Sequence, residues 1–392
     1  MHIRRSQKLL AAAIAPLLVL AACGNDDKEA KDPVLIRYFG GAAYMDFLTG
    51  SGILSKEQVD GSYTGDPALF IADEGKSAQQ GFGSAEPYLY ETELEDWGKP
   101  VAYQYINDIG WKNYAQSIAT TPENLTTNAA CFAALVPMIQ QSAVEYLADP
   151  THGNKVILDA TASFGEAFGW TYTAGAADYG VATIKKDGLQ ANDPASGVLG
   201  QFDMDRVQGL IDIAVPIYKA QGATPKEGVT PDDIVTNEFI DPNISIGGAP
   251  ATLAVTDLAG VCPDTVVLQT DWMPEAEHGF LYNLVGDGYE MDNDKAYVTG
   301  PLVVGGVDTG VMIQVRSGGK AQQFTPVTQI MYNDSDILAG FVYTDEAIQF
   351  SGSEFPTVAV MSGFEKNPQM IMWDPATYPD VKGIADLGPG KG

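Results

Sequence analysis

Short apolar runs alternate along the chain with segments in which apolar residues recur at helical spacing. The runs are rich in Val and Ile and predict buried strands, whereas the helical segments predict amphipathic helices. Predicted strands cover 34–39, 99–106, 265–269, 311–315, 337–342, 356–360 and 369–373. Predicted helices cover 42–48, 75–80, 128–147, 203–221, 320–324 and 346–350. This order of strand, loop and helix is that of open α/β sheets, in which ligands bind at the carboxyl ends of strands.

Residues 265–284 carry the clearest example of this order. The strand ends before Asp271 and Trp272, Pro274 is expected near the first position of the next helix, and His278 follows. An acid, an indole and an imidazole therefore cluster where a strand meets a helix, which predicts a ligand contact. The alternative is an ordinary loop with surface acids.

Two glycine turns and one tyrosine offer further contacts. Gly41 lies in a tight turn before a helix that contains Tyr44, and Gly318 lies where 316–319 opens another helix. Such turns can bring backbone N–H groups close to a ligand at a helix N-terminus. Tyr343 follows the strand 337–342 directly. Turns and core contacts without a ligand are the alternative.

The segment 81–88, Gly-Phe-Gly-Ser-Ala-Glu-Pro-Tyr, places polar side chains at every second position. In extended structure Ser84, Glu86 and Tyr88 would share one face. We expect that face to contact a ligand, and a hydrogen-bonded turn without a ligand is the alternative.

The amino-terminal residues have the pattern of an export signal. Arg4, Arg5 and Lys8 precede an apolar stretch at 9–20 that is too short to span a bilayer. Leu-Ala-Ala-Cys at 20–23 resembles a bacterial lipobox, so 1–22 would be removed and Cys23 acylated. We expect a lipid anchor on the extracytoplasmic face of the cell membrane, with 24–31 as a polar tether. An ordinary signal peptide is the alternative.

The chain is strongly acidic. Its 392 residues contain 51 Asp and Glu against 22 Lys and Arg, a net charge of −29. Removing the signal would remove three basic residues and no acidic one. Such a surface repels nucleic acid and anionic lipid headgroups, and it weakly disfavours a strongly anionic ligand. The length suffices for two lobes with cores of their own.

Three cysteines are present. With Cys23 taken by lipid, an exported chain keeps Cys131 and Cys262, which suggests one disulfide. Two separate buried thiols are the alternative.

Three motifs together resemble a known family. Asp-Trp-x-Pro-x-x-x-His at 271–278, the segment 81–88 and the Lys-Gly-Ile-Ala-Asp-Leu segment at 382–387 resemble motifs of the solute-binding proteins that serve ABC importers. The branch is the one of nitrate, sulfonate and thiamine-pyrimidine-precursor binders. The resemblance implies a two-lobed α/β fold, the type II periplasmic-binding-protein fold. Each lobe would be a mixed, mostly parallel sheet flanked by helices, with a ligand cleft between the lobes.

The resemblance covers nearly the whole mature chain, but in exchanged order. Residues 253–390 resemble the family's opening half and 32–246 its closing half, which suggests a circular permutation. Asp32 and Gly388 should then lie near each other. The expected division is 1–22 signal peptide, 23–31 tether, 32–102 lobe 2, 103–246 lobe 1, 247–252 linker, 253–370 lobe 1 and 371–392 crossing into lobe 2.

The resemblance implies a monomeric binder that captures a small solute and delivers it to the transmembrane permease subunits of an importer. The implied contacts are Asp271, Trp272, His278, Gly318 and Tyr343 from lobe 1, and Gly41, Tyr44, Ser84, Glu86 and Tyr88 from lobe 2. Aromatic faces would stack on a flat or cationic group, and two acids would accept its N–H hydrogens. A nitrogenous, aminopyrimidine-like solute is therefore expected.

Other functions stay open. The same fold could take nitrate, a sulfonate or another small anion. An exported hydrolase built on His278, or a scaffold with an empty cleft, are less favoured alternatives. Common catalytic motifs are absent from the sequence, so no enzymatic activity, cofactor or metal is expected.

Overall fold

The computed structural model describes residues 33–248 and 257–390. Within these ranges the strands are β1 Ile36–Arg37, β2 Val59–Asp60, β3 Ala78–Phe82, β4 Ala102–Tyr105, β5 Ser117–Thr120, β6 Thr265–Gln269, β7 Glu290–Asp292, β8 Tyr297–Val304, β9 Val307–Arg316, β10 Ile337–Val342, β11 Val358–Met361 and β12 Gln369–Trp373. The α-helices are α1 Ala43–Gly50, α2 Ala68–Ala72, α3 Glu86–Tyr88, α4 Pro122–Thr127, α5 Ala129–Ala148, α6 Thr151–Ala160, α7 Ala174–Lys186, α8 Met204–Ala220, α9 Gly279–Tyr282, α10 Val327–Asn333 and α11 Thr344–Phe350.

The strands form two mixed sheets flanked by helices. The five-stranded sheet has the order β2-β1-β3-β12-β4, and the seven-stranded sheet has the order β11-β5-β10-β6-β9-β8-β7. The chain is therefore α/β, as expected, and two sheets with separate sets of strands are compatible with two lobes.

The sheets are less parallel than expected. In the five-stranded sheet β1 pairs in parallel with β2 and β3, whereas β12 runs antiparallel to β3 and β4. In the seven-stranded sheet only β6–β9 and β6–β10 are parallel pairs among the described residues. The expectation of mostly parallel sheets is corrected, because β5, β8 and β12 run against their neighbours.

Side chains of β6 alternate between the two faces of the seven-stranded sheet, as strand geometry requires. Val266 and Leu268 pack in a core with α5, α6 and α9, whereas Val267 packs on the other face with α8 and α11. That second core continues through α1 into the five-stranded sheet at Ile36 and Ala78. The two sheets are thus joined by buried apolar contacts, not only by the backbone.

Two chain segments connect the sheets. Residues 106–116 lead from β4 to β5, and 362–368 lead from β11 to β12. The segments lie side by side, because Phe364 N–H donates to Ala115 O at 3.3 Å and Asn367 Nδ2 donates to Asn113 Oδ1 at 2.7 Å. The chain therefore leaves the five-stranded sheet after 105 and re-enters it at 369.

A disulfide ties the two parts of the seven-stranded half together. It joins Cys131 in α5 to Cys262, just before β6, with an S–S distance of 1.96 Å and a sequence separation of 131. Cys23 and the other residues of the predicted signal and tether lie outside the described residues, as does most of the predicted linker 247–252.

The first and last described residues lie close together. The Gln58 side-chain amide Nε2 donates to both Val34 O and Leu387 O, each at 2.9 Å. A Cβ on Gly388 would lie 2.4 Å from Ile53 O. Asp32 lies outside the described residues. The expected proximity of Asp32 and Gly388 can therefore be judged only from their neighbours Val34 and Leu387.

Two local predictions are wrong. Residues 75–80 were expected to be helical, but Gly75 adopts a left-handed backbone (φ +72°) after α2, and 78–82 form β3. The shared face predicted for Ser84, Glu86 and Tyr88 requires extended structure, but Glu86–Tyr88 form the short helix α3 with Ala85 as its N-cap. Ser84, Glu86 and Tyr88 therefore do not share a strand face.

Among the described residues, no helix is long and apolar enough to cross a bilayer.

Candidate functional site

The segment that follows β6 runs between the two sheets and carries the candidate site. A 3₁₀ turn at Ala276–His278 leads into α9, so the first helical residue is Ala276 and not Pro274. His278 is fully buried, and its Nε2 lies 3.2 Å from Asp271 Oδ1. The ring packs on Phe341 of β10.

Glu277 links this segment to the five-stranded sheet. Its Oε1 accepts a hydrogen bond from the Ser84 hydroxyl, and its Oε2 lies 3.2 Å from Gln116 Nε2. Ser84 follows β3, whereas Gln116 lies in the connecting segment 106–116. Three regions that are distant in sequence therefore meet at one carboxyl group.

The amide of Gln116 lies between the acids. Its Nε2 is 3.3 Å from Asp271 Oδ1 and 3.3 Å from His278 Nε2, in addition to the contact with Glu277. The side chain is 1% exposed, and its Oε1 has no hydrogen-bond partner among the described residues. A buried amide oxygen without a donor is unfavourable, so a donor from a ligand or water would be stabilising here.

Two further carboxyls complete what we call the acid cluster, defined as Asp271, Glu275, Glu277 and Glu86. Glu275 is 8% exposed, and its carboxylate has no hydrogen-bond or ion-pair partner among the described residues. Glu86 is half-buried in α3, and its Oε2 accepts from Phe82 N–H at 2.6 Å.

The electrostatics of the acid cluster favour protonated carboxyls. Burial, reinforced by Asp271 and Glu86, raises the pKa of Glu277 to about 8. Burial alone raises the pKa of Glu86 to about 7 against the opposing hydrogen bond from Phe82. Burial and the neighbouring acids raise the pKa of Glu275 well above its ordinary range. Desolvation and like charges disfavour the ionised form in each case.

Aromatic rings border the acid cluster. Trp272 is half-buried and lies edge-on to Phe39, with ring centroids 6.3 Å apart, and it packs against Phe324 at 5.6 Å. Phe39 follows β1, so Trp272 contacts the five-stranded half of the molecule. Tyr343 lies beside α11, and its phenol pKa is raised well above normal by burial and by Asp271 and Glu277. Trp272 and Tyr343 thus both belong to this region.

For four predicted contact residues, the structure shows solvent exposure or contacts with other protein groups. Gly41 is exposed, and Tyr44 is buried with its hydroxyl on Gln80 Oε1. The ring of Tyr88 packs on Tyr179 of α7, at 5.5 Å between centroids. The N–H of Gly318 donates to Trp272 O at 2.9 Å. That N–H is occupied by a protein carbonyl, and the contact holds the Trp272 loop in place.

Sequence reasoning missed three members of the site: Glu275, Glu277 and Gln116. The two glutamates lie inside the stretch 265–284, and the presence of two further acids close to Asp271 was a usable signal. Gln116 gave no local signal, because its partners lie more than 150 residues away in the sequence.

Two surface depressions lie elsewhere. One, of about 340 Å³, is bordered by α6 and α7 residues such as Asn154 and Asp178. The other, of about 240 Å³, is bordered by Arg316, Tyr297 and Asp334. Arg316 is engaged there, because Nη1 donates to Asp334 at 2.7 Å and the guanidinium lies over Tyr297.

In the part of the chain that the structure describes, no group of three or more His, Cys, Asp or Glu side chains is placed to hold a metal ion. Comparisons with protein-family models, with curated proteins and with solved structures found no match. Within the described ranges, no Lys or Arg forms an ion pair with the acid cluster. His278 is the one potentially basic side chain in contact with it, through Nε2 at 3.2 Å from Asp271 Oδ1.

Proposed function

We propose that the chain is an extracytoplasmic solute-binding lipoprotein of an ABC importer, with the type II periplasmic-binding-protein fold. The solute is a small nitrogenous molecule bound at the acid cluster, between the two sheets. The observation that carries this proposal is the meeting of Glu277, Ser84 and Gln116, which come from both halves of the molecule and from the segment that joins them.

The connections between the sheets support a clamp. Only two adjacent segments, 106–116 and 362–368, carry the described chain from one sheet to the other. Two such segments can act as a hinge about which the halves separate and close. A site with contacts from both halves would be assembled by closing and opened by separation.

The chemistry of the acid cluster supports a ligand that donates hydrogen bonds. The Gln116 Oε1 and the unprotonated carboxyl oxygens of the cluster are acceptors, whereas Trp272 and Tyr343 offer aromatic faces. Nitrate or a sulfonate would bring only acceptors and negative charge to this region, so the anion alternative has less support. The hydrolase alternative also lacks support, since Ser84 donates to Glu277 and not to His278.

The exchanged chain order is supported by the contact of Gln58 with both Val34 and Leu387. Adjacent ends allow a chain to be joined there and opened elsewhere without loss of the fold. Residues 253–390 and 32–246 can then be the two halves of a permuted family member.

The disulfide supports export, because such bonds persist mainly in oxidising compartments. The lipobox at 20–23, with acylation of Cys23, remains the proposed route to the membrane. The permease subunits remain the proposed partners, and the protein would act as a monomer.

Native mass spectrometry of the freshly purified protein tests the proposal, and we expect a small nitrogenous molecule that dissociates on denaturation. Calorimetric titration with an aminopyrimidine and with an alkylsulfonate should show binding of the first only.

Trp272→Ala should weaken binding about tenfold, since one aromatic contact to a cationic or flat group contributes on the order of 1 kcal/mol. Tyr332→Ala is a control, because Tyr332 is an exposed tyrosine of α10 that packs on Phe355. Preferred binding of the sulfonate, or no effect of Trp272→Ala, would contradict the proposal.

A further inference from the structure

A pocket of about 240 Å³ lies at the end of the seven-stranded sheet, on the side covered by α10. It is lined by Gln269 and Arg316, the last residues of the parallel neighbours β6 and β9. Gln269 lies on the same face of β6 as Val267, which packs with Val327 of α10. The segment that follows β6 and carries most of the acid cluster leads instead into α9, on the opposite face. The pocket is therefore a separate place, and the carboxyl ends of parallel strands commonly bind ligands.

Arg316 has one donor group left for a ligand. The residue is 7% exposed, and its Nη1 and Nε donate to Asp334 Oδ2 and Gln314 Oε1, each at 2.7 Å. The guanidinium also lies over the ring of Tyr297, 4.6 Å from its centroid. Nη2 forms no hydrogen bond within the described chain, and protein does not enclose it. A buried arginine that borders a pocket with a free Nη2 indicates a ligand oxygen at that position.

The charges in the pocket already neutralise each other. Arg316 pairs with Asp334, whose Oδ1 also accepts from Asp336 N–H at 3.0 Å. Burial opposes the ionisation of Asp334, but the hydrogen bonds from Asp336 and Arg316 lower its pKa below the ordinary value. The carboxyl is therefore ionised, so an anionic ligand would be repelled by Asp334 and a cationic ligand by Arg316. This balance favours an uncharged ligand.

The rim of the pocket consists of neutral polar side chains. Gln322 and Thr325 come from the segment between β9 and α10, and Asn333 ends α10. Within the described ranges, none of these three side chains forms a hydrogen bond with protein. Each amide or hydroxyl can both donate and accept a hydrogen bond. The ligand should therefore offer donors and acceptors together.

Gln269 adds a hydrogen-bond acceptor at the strand end. The orientation of its amide is fixed, because Nε2 donates to the backbone O of Thr270 at 2.9 Å and to that of Arg316 at 3.2 Å. The residue is 1% exposed, and its Oε1 has no hydrogen-bond partner among the described residues. A buried acceptor without a donor is unfavourable, so an O–H group that reaches it from the pocket would be stabilising.

We propose that this pocket binds a neutral polyhydroxylated molecule of monosaccharide size. Each hydroxyl offers one donor and two acceptor positions, so one ring can accept from Arg316 Nη2, donate to Gln269 Oε1 and form hydrogen bonds with the rim. The volume corresponds to about eight water molecules, and Ile330 offers an apolar surface for C–H groups. The inference goes beyond the proposed function, because it adds a second ligand at a place that the solute does not occupy.

A series of six-membered carbocycles tests the class of ligand. In this series myo-inositol carries six hydroxyls, cyclohexanol carries one, and cyclohexanecarboxylate carries a negative charge on the same ring. Calorimetric titration of the full chain should give a dissociation constant of about 1 mM or lower for at least one of four polyols: myo-inositol, D-glucose, D-galactose and D-mannose. Cyclohexanol and cyclohexanecarboxylate should bind at least about tenfold more weakly, because they lack most of the hydrogen bonds.

The ion pair gives an independent test of the preference for a neutral ligand. Asp334→Asn keeps the shape of the side chain and removes the charge that neutralises Arg316. The affinity for cyclohexanecarboxylate should then rise about tenfold, whereas that for cyclohexanol should not change. The increase should become smaller with added salt, because the pocket is open to solvent.

Rim variants locate the ligand. Gln322→Ala and Asn333→Ala should each weaken binding of the polyol about two- to tenfold, which is the effect of one hydrogen bond. Gln329→Ala is the matched control and should change nothing, because Gln329 is an amide of α10 that does not border the pocket. Two rim variants are used so that a folding defect in one, detected by circular dichroism, leaves the other informative.

Three results would overturn the inference. One is that none of the four polyols binds with a dissociation constant below about 10 mM. Another is tighter binding of cyclohexanecarboxylate than of every polyol to the unsubstituted chain. The third is polyol binding that Glu86→Gln removes and both rim variants leave intact, which would place the polyol at the acid cluster. The first two results leave the proposed function unaffected.

Discussion

At the scale of single residues, the site depends on side chains whose partners are unusual for a protein interior. Glu277 is 3% exposed, and it shares the Gln116 amide with Asp271 instead of pairing with a basic side chain. Burial opposes its ionisation more strongly than its hydrogen bonds from Ser84 and Gln116 favour it. The carboxyl therefore keeps its proton in the folded chain at a pH where the unfolded chain has lost it.

This difference predicts how stability changes with pH. The pKa of Glu277 is about 8 when folded, against an ordinary value of 4.5. Its stabilising contribution is full below 4.5 and is lost as pH rises through about 8. The loss is at most about 1.4 kcal/mol per pH unit. Glu277→Gln should flatten the fall in unfolding free energy between pH 5 and 8, measured by urea denaturation of the ligand-free protein.

The exposed Glu290 provides the control for this measurement, and Glu290→Gln should leave the pH profile of stability unchanged. A Glu277→Gln profile as steep as that of the unsubstituted chain would show that Glu277 ionises normally in the folded protein.

At the scale of elements, continuous apolar runs were predictable and buried polar strands were not. The bounds of β6, β10 and β12 match the predicted strands, because each is an apolar run buried by covering helices. Strand β3 was missed because Gln79 and Gln80 are polar yet buried. Their side chains form hydrogen bonds with the hydroxyls of Tyr90 and Tyr44. Their burial depends on those distant side chains, which local sequence does not reveal.

The candidate site divides in the same way. Asp271, Trp272 and His278 follow a predictable strand, so their common location was accessible from sequence. The contribution of Gln116 was not, because it depends on how two connecting segments pack side by side. Only the tertiary structure brings that segment beside the carboxyl end of β6.

The packing of the connecting segments gives a prediction at this scale. A Cβ on Gly363 would lie 2.0 Å from Gln116 O, a backbone atom that cannot move without displacing the segment. Gly363→Ala should therefore reduce the free energy of unfolding by about 1–3 kcal/mol and weaken solute binding, because it shifts Gln116. Denaturant unfolding and calorimetry measure the two effects.

Gly209→Ala is the matched control. Gly209 lies within α8, and a Cβ there meets no atom within 4 Å, so alanine should stabilise the helix by up to about 1 kcal/mol. If both substitutions had the same effect, the close packing of 106–116 against 362–368 would not matter for stability or binding.

At the scale of the whole molecule, order along the chain and position in space are separate properties. Strand β12 comes from the end of the described chain, yet it lies between β3 and β4, which come from its beginning. The five-stranded sheet is therefore complete only when both ends of the chain are folded together. Gln58 fixes this arrangement through the carbonyls of Val34 and Leu387.

Rejoining the chain tests whether the exchanged order is a matter of connection alone. In a variant that runs from 248 to 390, continues through a short Gly-Ser linker and then follows 33 to 247, the break lies between Gly247 and Gly248, which are exposed. The two carbonyls already share one amide, so the linker needs to span only a short distance. We expect this variant to fold with the Cys131–Cys262 bond intact and with a melting temperature within a few degrees of the original, because both sheets keep every strand.

A second variant, joined in the same way but opened between Leu268 and Gln269 in the buried strand β6, should fail to fold. Circular dichroism and thiol titration compare the two, and equal loss of structure in both would show that the present connection is required for the fold.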